Sequence, residues 1–379
     1  MGLVLSEEAQ LVRDSALDFF RNKSPVTALR KLRDTADADG FSRPLWCEMA
    51  ELGWTGFLVG EASGGTGFGM VGLGQVLEAA GRTLAASPLV STALIGASAL
   101  ELGATPAQKA AWLPGLLAGE TLVALASEEG PHHLPTRVAT TARREGAGFV
   151  IDGSKSFVID GHVADLLIVS ARIGGATDDR DGITLFLVPA DAPGVRRQRL
   201  SMVDSRNAAR IVLDGVAVGA EAVLGTLGDG AALLDRVLDR ARAGLAAEML
   251  GSACEAFERT VQYLKDRKQF GVPIGSFQAL KHRAAELFAE IEVTRSAVLA
   301  ALVAIDEAAE DAPALASLAK AKANETLRLV SSEGIQMHGG IGMTDEHEIG
   351  FFLKRARVAE ASFGGTSFHR DRYASLMGY

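Results

Sequence analysis

Cysteine is scarce in this chain of 379 residues, which carries Cys47 and Cys254 and no other. Two thiols so far apart fit no metal-ligand spacing and point to a reducing compartment, the cytosol. A basic excess is also missing. The net charge of −9 disfavours a general nucleic-acid or anionic-membrane surface, because phosphate binding wants clustered Lys and Arg. An anionic ligand still fits wherever a few basic residues converge. No uninterrupted apolar run reaches the ~18 residues of a membrane span. The start, MGLVLSEEAQ, places no basic region before an apolar stretch, so no signal peptide is expected. What is present is 48% hydrophobic and 22% charged, an ordinary globular balance. Its alanine-rich, positive mean hydropathy implies large buried helical surfaces, subunit interfaces among them.

The period of the apolar residues divides the chain. Ser6 caps an expected helix whose first turn holds Glu7 and Glu8. Leu11, Val12, Ala16, Phe19 and Phe20 supply its apolar face. Thr105-Pro106 reads as a second helix start, with a glycine-rich turn between them at Glu61 to Met70. The middle changes to a strand period. Phe149 to Ile151 and Lys155 to Ile159 read as a hairpin about Asp152-Gly153. Leu166 to Ala171 and Ile183 to Val188 are further strands around a polar loop, Ile173 to Gly182. Arg210 to Val218 is another, around a second turn at Asp214-Gly215. After Gly230 long helical segments follow: about Ala231 to Asp266, Gln278 to Ala309, Ala314 to His338, and a fourth near the C-terminus. The expected class is α+β, with an N-terminal α-helical domain (1–122), a middle antiparallel β domain (123–225) and a C-terminal four-helix bundle (226–379).

Two stretches carry chemistry. Tyr263 to Gln278 joins two long helices. It is either an interhelix loop turning at Gly271 and Pro273, or a ligand site in which Arg267 offers a guanidinium fork to phosphate and Gln278 an amide. Gln336 to Glu348 holds Gly339 and Gly340, which serve as a helix C-cap or let the backbone approach a ligand. Neither has the strand-then-GxGxxG context of a Rossmann site.

These stretches, with LGWTGFLVGEASGGTGFGM (Leu52 to Met70) and IDGSKSFVIDGHVADLLIV (Ile151 to Val169), resemble the acyl-CoA dehydrogenase family over nearly the whole chain. RKQFG…FQ paired with Q-x-x-GG-x-G is specific to it. Within the family the likeness is strongest to small subunits of pimeloyl-CoA dehydrogenases. The resemblance implies non-covalent FAD, an acyl-CoA substrate, an electron-transfer flavoprotein as acceptor, and assembly as a dimer or tetramer. It implies that Arg267, Gln269, Phe270, Phe277 and Gln278 reach a neighbouring subunit's FAD, joined by Gln336, Gly339 and Gly340. Thr366 would contact the chain's own FAD. Ser127 matches the family's Thr-Glu-Pro flavin loop, and Arg242 an arginine beside the active site or, equally, a solvated helix arginine.

The departures have a direction. The usual base lies in a Tyr-Glu-Gly-Thr motif, which here reads Phe363-Gly364-Gly365-Thr366. The alternative base position, just before Arg242, is Ala241. Asp239 and Glu248 lie nearby and read as solvated or interface carboxylates. The family's Trp-Ile-Thr/Ser-Asn reads Phe157 to Asp160, so Ile159 offers no hydroxyl to a flavin. His132 and His133 replace part of the flavin loop and read as exposed polar surface. Residues serving a neighbour's FAD are retained, whereas those serving the chain's own chemistry are eroded. The expectation is a base-lacking small subunit whose homologous large partner brings the glutamate. The alternatives are an active homo-oligomer with another base, a flavin-free scaffold, or an oxidase on the same fold.

Overall fold

The computed structural model describes residues 4–379. In chain order the helices are α1 (Glu7–Lys23), α2 (Val26–Asp34), α3 (Arg43–Glu51), α4 (Gly69–Arg82), α5 (Ala97–Gly103) and α6 (Pro106–Leu117). The strands β1 (Val123–Ala126), β2 (Thr141–Glu145), β3 (Gly148–Ile159), β4 (Leu166–Arg172), β5 (Ile183–Pro189), β6 (Val195–Arg199), β7 (Ala208–Val218) and β8 (Val223–Leu224) follow. Then come α7 (Gly230–Asp266), the short β9 (Lys268–Gln269) and β10 (Val272–Pro273), α8 (Gln278–Asp306), α9 (Ala312–His338), α10 (Ile349–Ala361) and α11 (Thr366–Leu376). The chain forms two compact units, each described by itself. No helix among the described residues is long and apolar enough to cross a membrane.

The unit of residues 36–69 and 87–241 is built on one sheet in the order β6-β7-β3-β2-β4-β5-β8, with β1 alongside β4. The sheet is mixed rather than wholly antiparallel, since β1 lies parallel to β4. Phe149, Ile151, Phe186 and Ile211 anchor its core. The two Asp-Gly pairs are not hairpin turns, contrary to expectation. Asp152-Gly153 lies inside β3 and Asp214-Gly215 inside β7, where the pairing register shifts. Gly215 N–H donates to Asp152 Oδ1 at 2.7 Å, so the two dipeptides face each other across a bulge. Gly215 has φ +63°, and a bulge uses that freedom as readily as a turn does. The true β2–β3 turn is at Gly146-Ala147. The polar loop after β4 is shaped by Arg172, whose guanidinium donates to five backbone carbonyls: Val138, Gly174, Thr177, Asp179 and Asp181. Thr105 caps α6 in a reciprocal capping box with Gln108, which satisfies both orphan donors.

The other unit gathers the described residues up to 35, with 70–86 and 242–379. Ser6 caps α1, accepting from Ala9 N–H. Its buried face is Ala9, Ala16, Phe19 and Phe20, while Leu11 stays 70% exposed, so the apolar stripe is narrower than the sequence suggests. α7, α8 and α9 form the expected long helices. The fourth bundle position holds two shorter helices, α10 and α11, separated at Ser362–Gly365 where Phe363 has φ +58° and Gly364 φ +114°. α4 crosses α7 at two glycines. A Cβ on Gly81 would overlap the Glu248 carbonyl oxygen, and one on Gly251 the Glu78 carbonyl oxygen. Ser252 Oγ donates to Gly81 O at 2.8 Å across the same crossing.

The crossing predicts that Gly81→Ala or Gly251→Ala destabilises the protein by ~1–3 kcal/mol through overpacking, although alanine is the better helix former. Thermal denaturation measures this, and a variant melting at or above the parent contradicts so close an approach.

Candidate functional site

In the helical unit the Arg267 segment is a projecting hairpin. β9 and β10 pair antiparallel about Phe270 (φ +53°) and Gly271 (φ +79°), the two left-handed residues of a tight turn. Ile274 N–H donates to Arg267 O at 2.8 Å and closes its base. Arg267 and Gln269 are exposed, and Phe270 is 91% exposed with its ring 6.1 Å from that of Phe277. Phe277 precedes α8, and Gln278 opens it. A cation, an amide and two phenyl rings therefore stand in solvent with little to hold them there.

The Gln336 stretch ends α9. Gln336 is exposed, and a side chain on Gly339 (φ +65°) or Gly340 would meet nothing within 4 Å. The two motifs share one end of the bundle, since Tyr263 near the end of α7 stacks on His338 at the end of α9 with centroids 4.4 Å apart. His347 packs against His338 at 4.5 Å.

The second cluster of this unit surrounds Phe363–Thr366. Arg242 is 1% exposed, not a solvated helix arginine. Its Nε lies 3.4 Å from Phe363 O, and its guanidinium 5.5 Å from the Phe368 ring centroid. Lys320, wholly buried, donates to Asn324 Oδ1 (2.7 Å), Ala359 O (2.9 Å) and Gly364 O (3.2 Å), one bond for each ammonium proton. Burial pushes its pKa down to about 7. Asn324 Nδ2 also points at Gly364 O. A Cβ on Gly364 would fall 2.6 Å from Phe368 Cδ1 and 2.7 Å from His369 Nε2. Thr366 starts α11 beside this loop. Glu248 is buried and paired with Arg355 at 3.0 Å, so it is neither solvated nor available as a base. Lys320 and Gly339 lie ~28 Å apart along α9, and Arg242 and Arg267 ~37 Å apart along α7, at 1.5 Å per residue. The retained motifs and the Gly364 loop are thus remote within one chain.

In the sheet unit Ser127 follows β1 and is 4% exposed. Glu129, two residues on, accepts from Lys155 Nζ (2.7 Å), Ala139 N–H (2.7 Å) and Thr140 N–H (3.0 Å). Burial opposes its charge, yet Lys155 and these bonds hold the carboxyl below its usual range, while burial pushes Lys155 down to about 8. His132 is exposed as expected. His133 is not, because its side chain is buried against Glu128. Phe157 is 46% exposed with φ +53°. Asp160 is buried and accepts from Ser91 Oγ at 2.6 Å; burial pushes its carboxyl up to about 6. Ala241 and Asp239 are both buried on α7. Sequence reasoning missed Lys320 and the Glu129–Lys155 pair. The signal for Lys320 was a lysine within an alanine-rich face whose Ala316, Ala319 and Ala323 are buried.

Comparison with known proteins agrees with this arrangement. The family descriptions Acyl-CoA dehydrogenase, N-terminal domain, middle domain and C-terminal domain match residues 6–120, 124–216 and 228–377. Acyl-CoA dehydrogenase FadE12 of Mycobacterium tuberculosis is 32% identical over 365 residues, covering 94% of this chain and 92% of its own. Among solved structures, a variant of the Tcur3481–Tcur3483 steroid ACAD is 33% identical with a TM-score of 0.87, covering 98% of each chain. The ChsE4–ChsE5 complex of Mycobacterium tuberculosis is 26% identical with a TM-score of 0.88, covering 100% of this chain and 99% of that one. The chain belongs to the acyl-CoA dehydrogenase family of flavoprotein oxidoreductases, which dehydrogenate acyl-CoA thioesters.

Proposed function

We propose that this chain is the base-lacking subunit of a heteromeric, FAD-dependent acyl-CoA dehydrogenase. The observation that carries this reading is Gly364. Its backbone has φ +114°, and the space a side chain would need is taken by Phe368 and His369. Ala241 offers no carboxylate, and Glu248 is tied to Arg355. The partner's glutamate then removes the α-proton of the thioester.

The exposed cation and phenyl rings of the Arg267 hairpin, with the open space at Gly339 and Gly340, fit one end of a dinucleotide. Arg267, Gln269, Phe270, Phe277, Gln278, Gln336, Gly339 and Gly340 hold the partner's FAD. FAD, when bound, supplies the acceptor for the β-hydride, and an electron-transfer flavoprotein takes the electrons onward. Ser127 and Thr366 are assigned by resemblance to the chain's own FAD, and Ile159 has no hydroxyl to donate. The ~28 Å between Lys320 and Gly339 suits pairing of related chains, each lending one end to the other's site. On this reading the domains divide at 122/123 and 225/226, and the free cysteines suit the cytosol. The name of the steroid ACAD favours a steroid-type or other bulky acyl-CoA over the dicarboxylyl-CoA of a pimeloyl-type enzyme. A second reading, an active homo-oligomer, is favoured only by buried Asp239, three residues before Arg242 on α7.

Native mass spectrometry of the chain alone and co-expressed with its partner tests the proposal. The expected result is little FAD alone and one FAD per pair of unlike chains together. A homo-oligomer with full FAD and acyl-CoA turnover abolished by Asp239→Asn overturns it in favour of the second reading. In the complex, Arg267→Ala weakens FAD retention ~10–100-fold, the loss of one charge-assisted bond of ~1.5–3 kcal/mol, read by equilibrium dialysis. Gly364→Glu leaves the isolated chain without turnover in a dye-reduction assay, because its Cβ has no room.

A further inference from the structure

The two motifs assigned above to the partner's FAD lie on different helices, and something must fix their spacing. Tyr263, His338 and His347 form a ring cluster at that point, with Tyr263 stacked on His338 and His347 tilted against His338 and edge-on to Tyr263. Tyr263 sits at the root of the Arg267 hairpin, because its carbonyl accepts from Arg267 N–H at 2.9 Å. His338 is the last residue of α9, immediately before Gly339. His347 belongs to the segment returning from the glycine turn. We propose that His338 and His347 are positioning residues, which hold the Arg267 hairpin and the Gly339–Gly340 turn at one fixed spacing only while both imidazoles are neutral. This rests on the FAD assignment above.

The tautomer of His338 follows from its contacts. Nδ1 lies 2.6 Å from Gly334 O, and a carbonyl only accepts, so Nδ1 carries the proton. Nε2 is buried with no hydrogen-bond partner among the described residues. A second proton there would enter without an acceptor, between a phenol ring and another imidazole. The helix C-terminus favours a cation, but burial outweighs it and holds His338 below the usual histidine range, with His347 adding to the effect. Burial and then Arg259 lower His347, while Glu348 opposes. Arg259 is itself engaged by Glu348 (2.6 Å) and Glu255 (2.8 Å). The hydrogen bond to Gly334 O favours the protonated ring, but burial exceeds it, and no carboxylate among the described residues is a cause of the shift at His338.

The sign follows. Both histidines have lowered folded values, so the stabilisation by the neutral rings is fully present above the ordinary 6.5 and is lost as pH falls from there through the lowered folded values. FAD retention should fall with it, approaching tenfold per pH unit for each histidine at the limit.

The test measures released-flavin fluorescence after gel filtration of the co-purified complex between pH 8 and 5. Wild type should retain FAD to pH 7 and lose it below. His338→Phe keeps a ring in the stack but cannot titrate, so it should retain FAD at pH 7 and flatten the fall. His338→Ala should lose FAD at every pH. A His338→Phe profile superimposable on wild type overturns the proposal, as does a wild type with no acid loss. Arg267→Ala separates the two readings. If it retains FAD fully, the assignment of the hairpin has failed, whereas weakened retention with the acid fall intact shows that assignment standing independently of the histidines.

Discussion

A lysine without access to water organises the loop around Gly364. Lys320 directs its three protons to Asn324, Ala359 O and Gly364 O. A buried ammonium is tolerable only when its hydrogen bonds are complete. Its requirement therefore fixes the end of α10, the break after it and the start of α11 together. Arg242 reinforces the same break through Phe363 O. The break cannot relax toward a conformation that admits a side chain at 364 without leaving one of these cations unsatisfied.

The opposite end of the bundle follows other physics. There the backbone is exposed, glycines open onto space, and phenyl rings stand in solvent. Such a surface is costly for a monomer and useful at an interface. One chain thus joins a closed, internally satisfied loop to an open, unsatisfied one, separated by the length of a helix. That contrast, more than any single residue, is what supports the paired assembly proposed for this chain.

Much of this was legible in the sequence. The helical and strand periods located nearly every long element, and Ser6 and Thr105 marked helix starts because capping chemistry is local. The hairpin at Arg267 and the glycines at 339 and 340 were legible because their resemblance to a family is specific. The Asp-Gly pairs misled, since the dipeptide signals a tolerance for positive φ and not the element that uses it. His133 and Glu248 misled for the complementary reason. Their partners, Glu128 and Arg355, make them buried, and only the folded chain brings Arg355 to Glu248. Lys320 was only faintly signalled, by its alanine-rich face, because two of its three acceptors are backbone carbonyls about forty residues away, which no side-chain pattern encodes.

The filled space at Gly364 also bears on descent. Losing a catalytic carboxylate by substitution to glycine is a single step, and in principle a single step restores it. Here Phe368 and His369 have closed over the position. A side chain restored there has to displace both rings and accept a left-handed φ of +114°. A glycine packed in this way behaves as a ratchet.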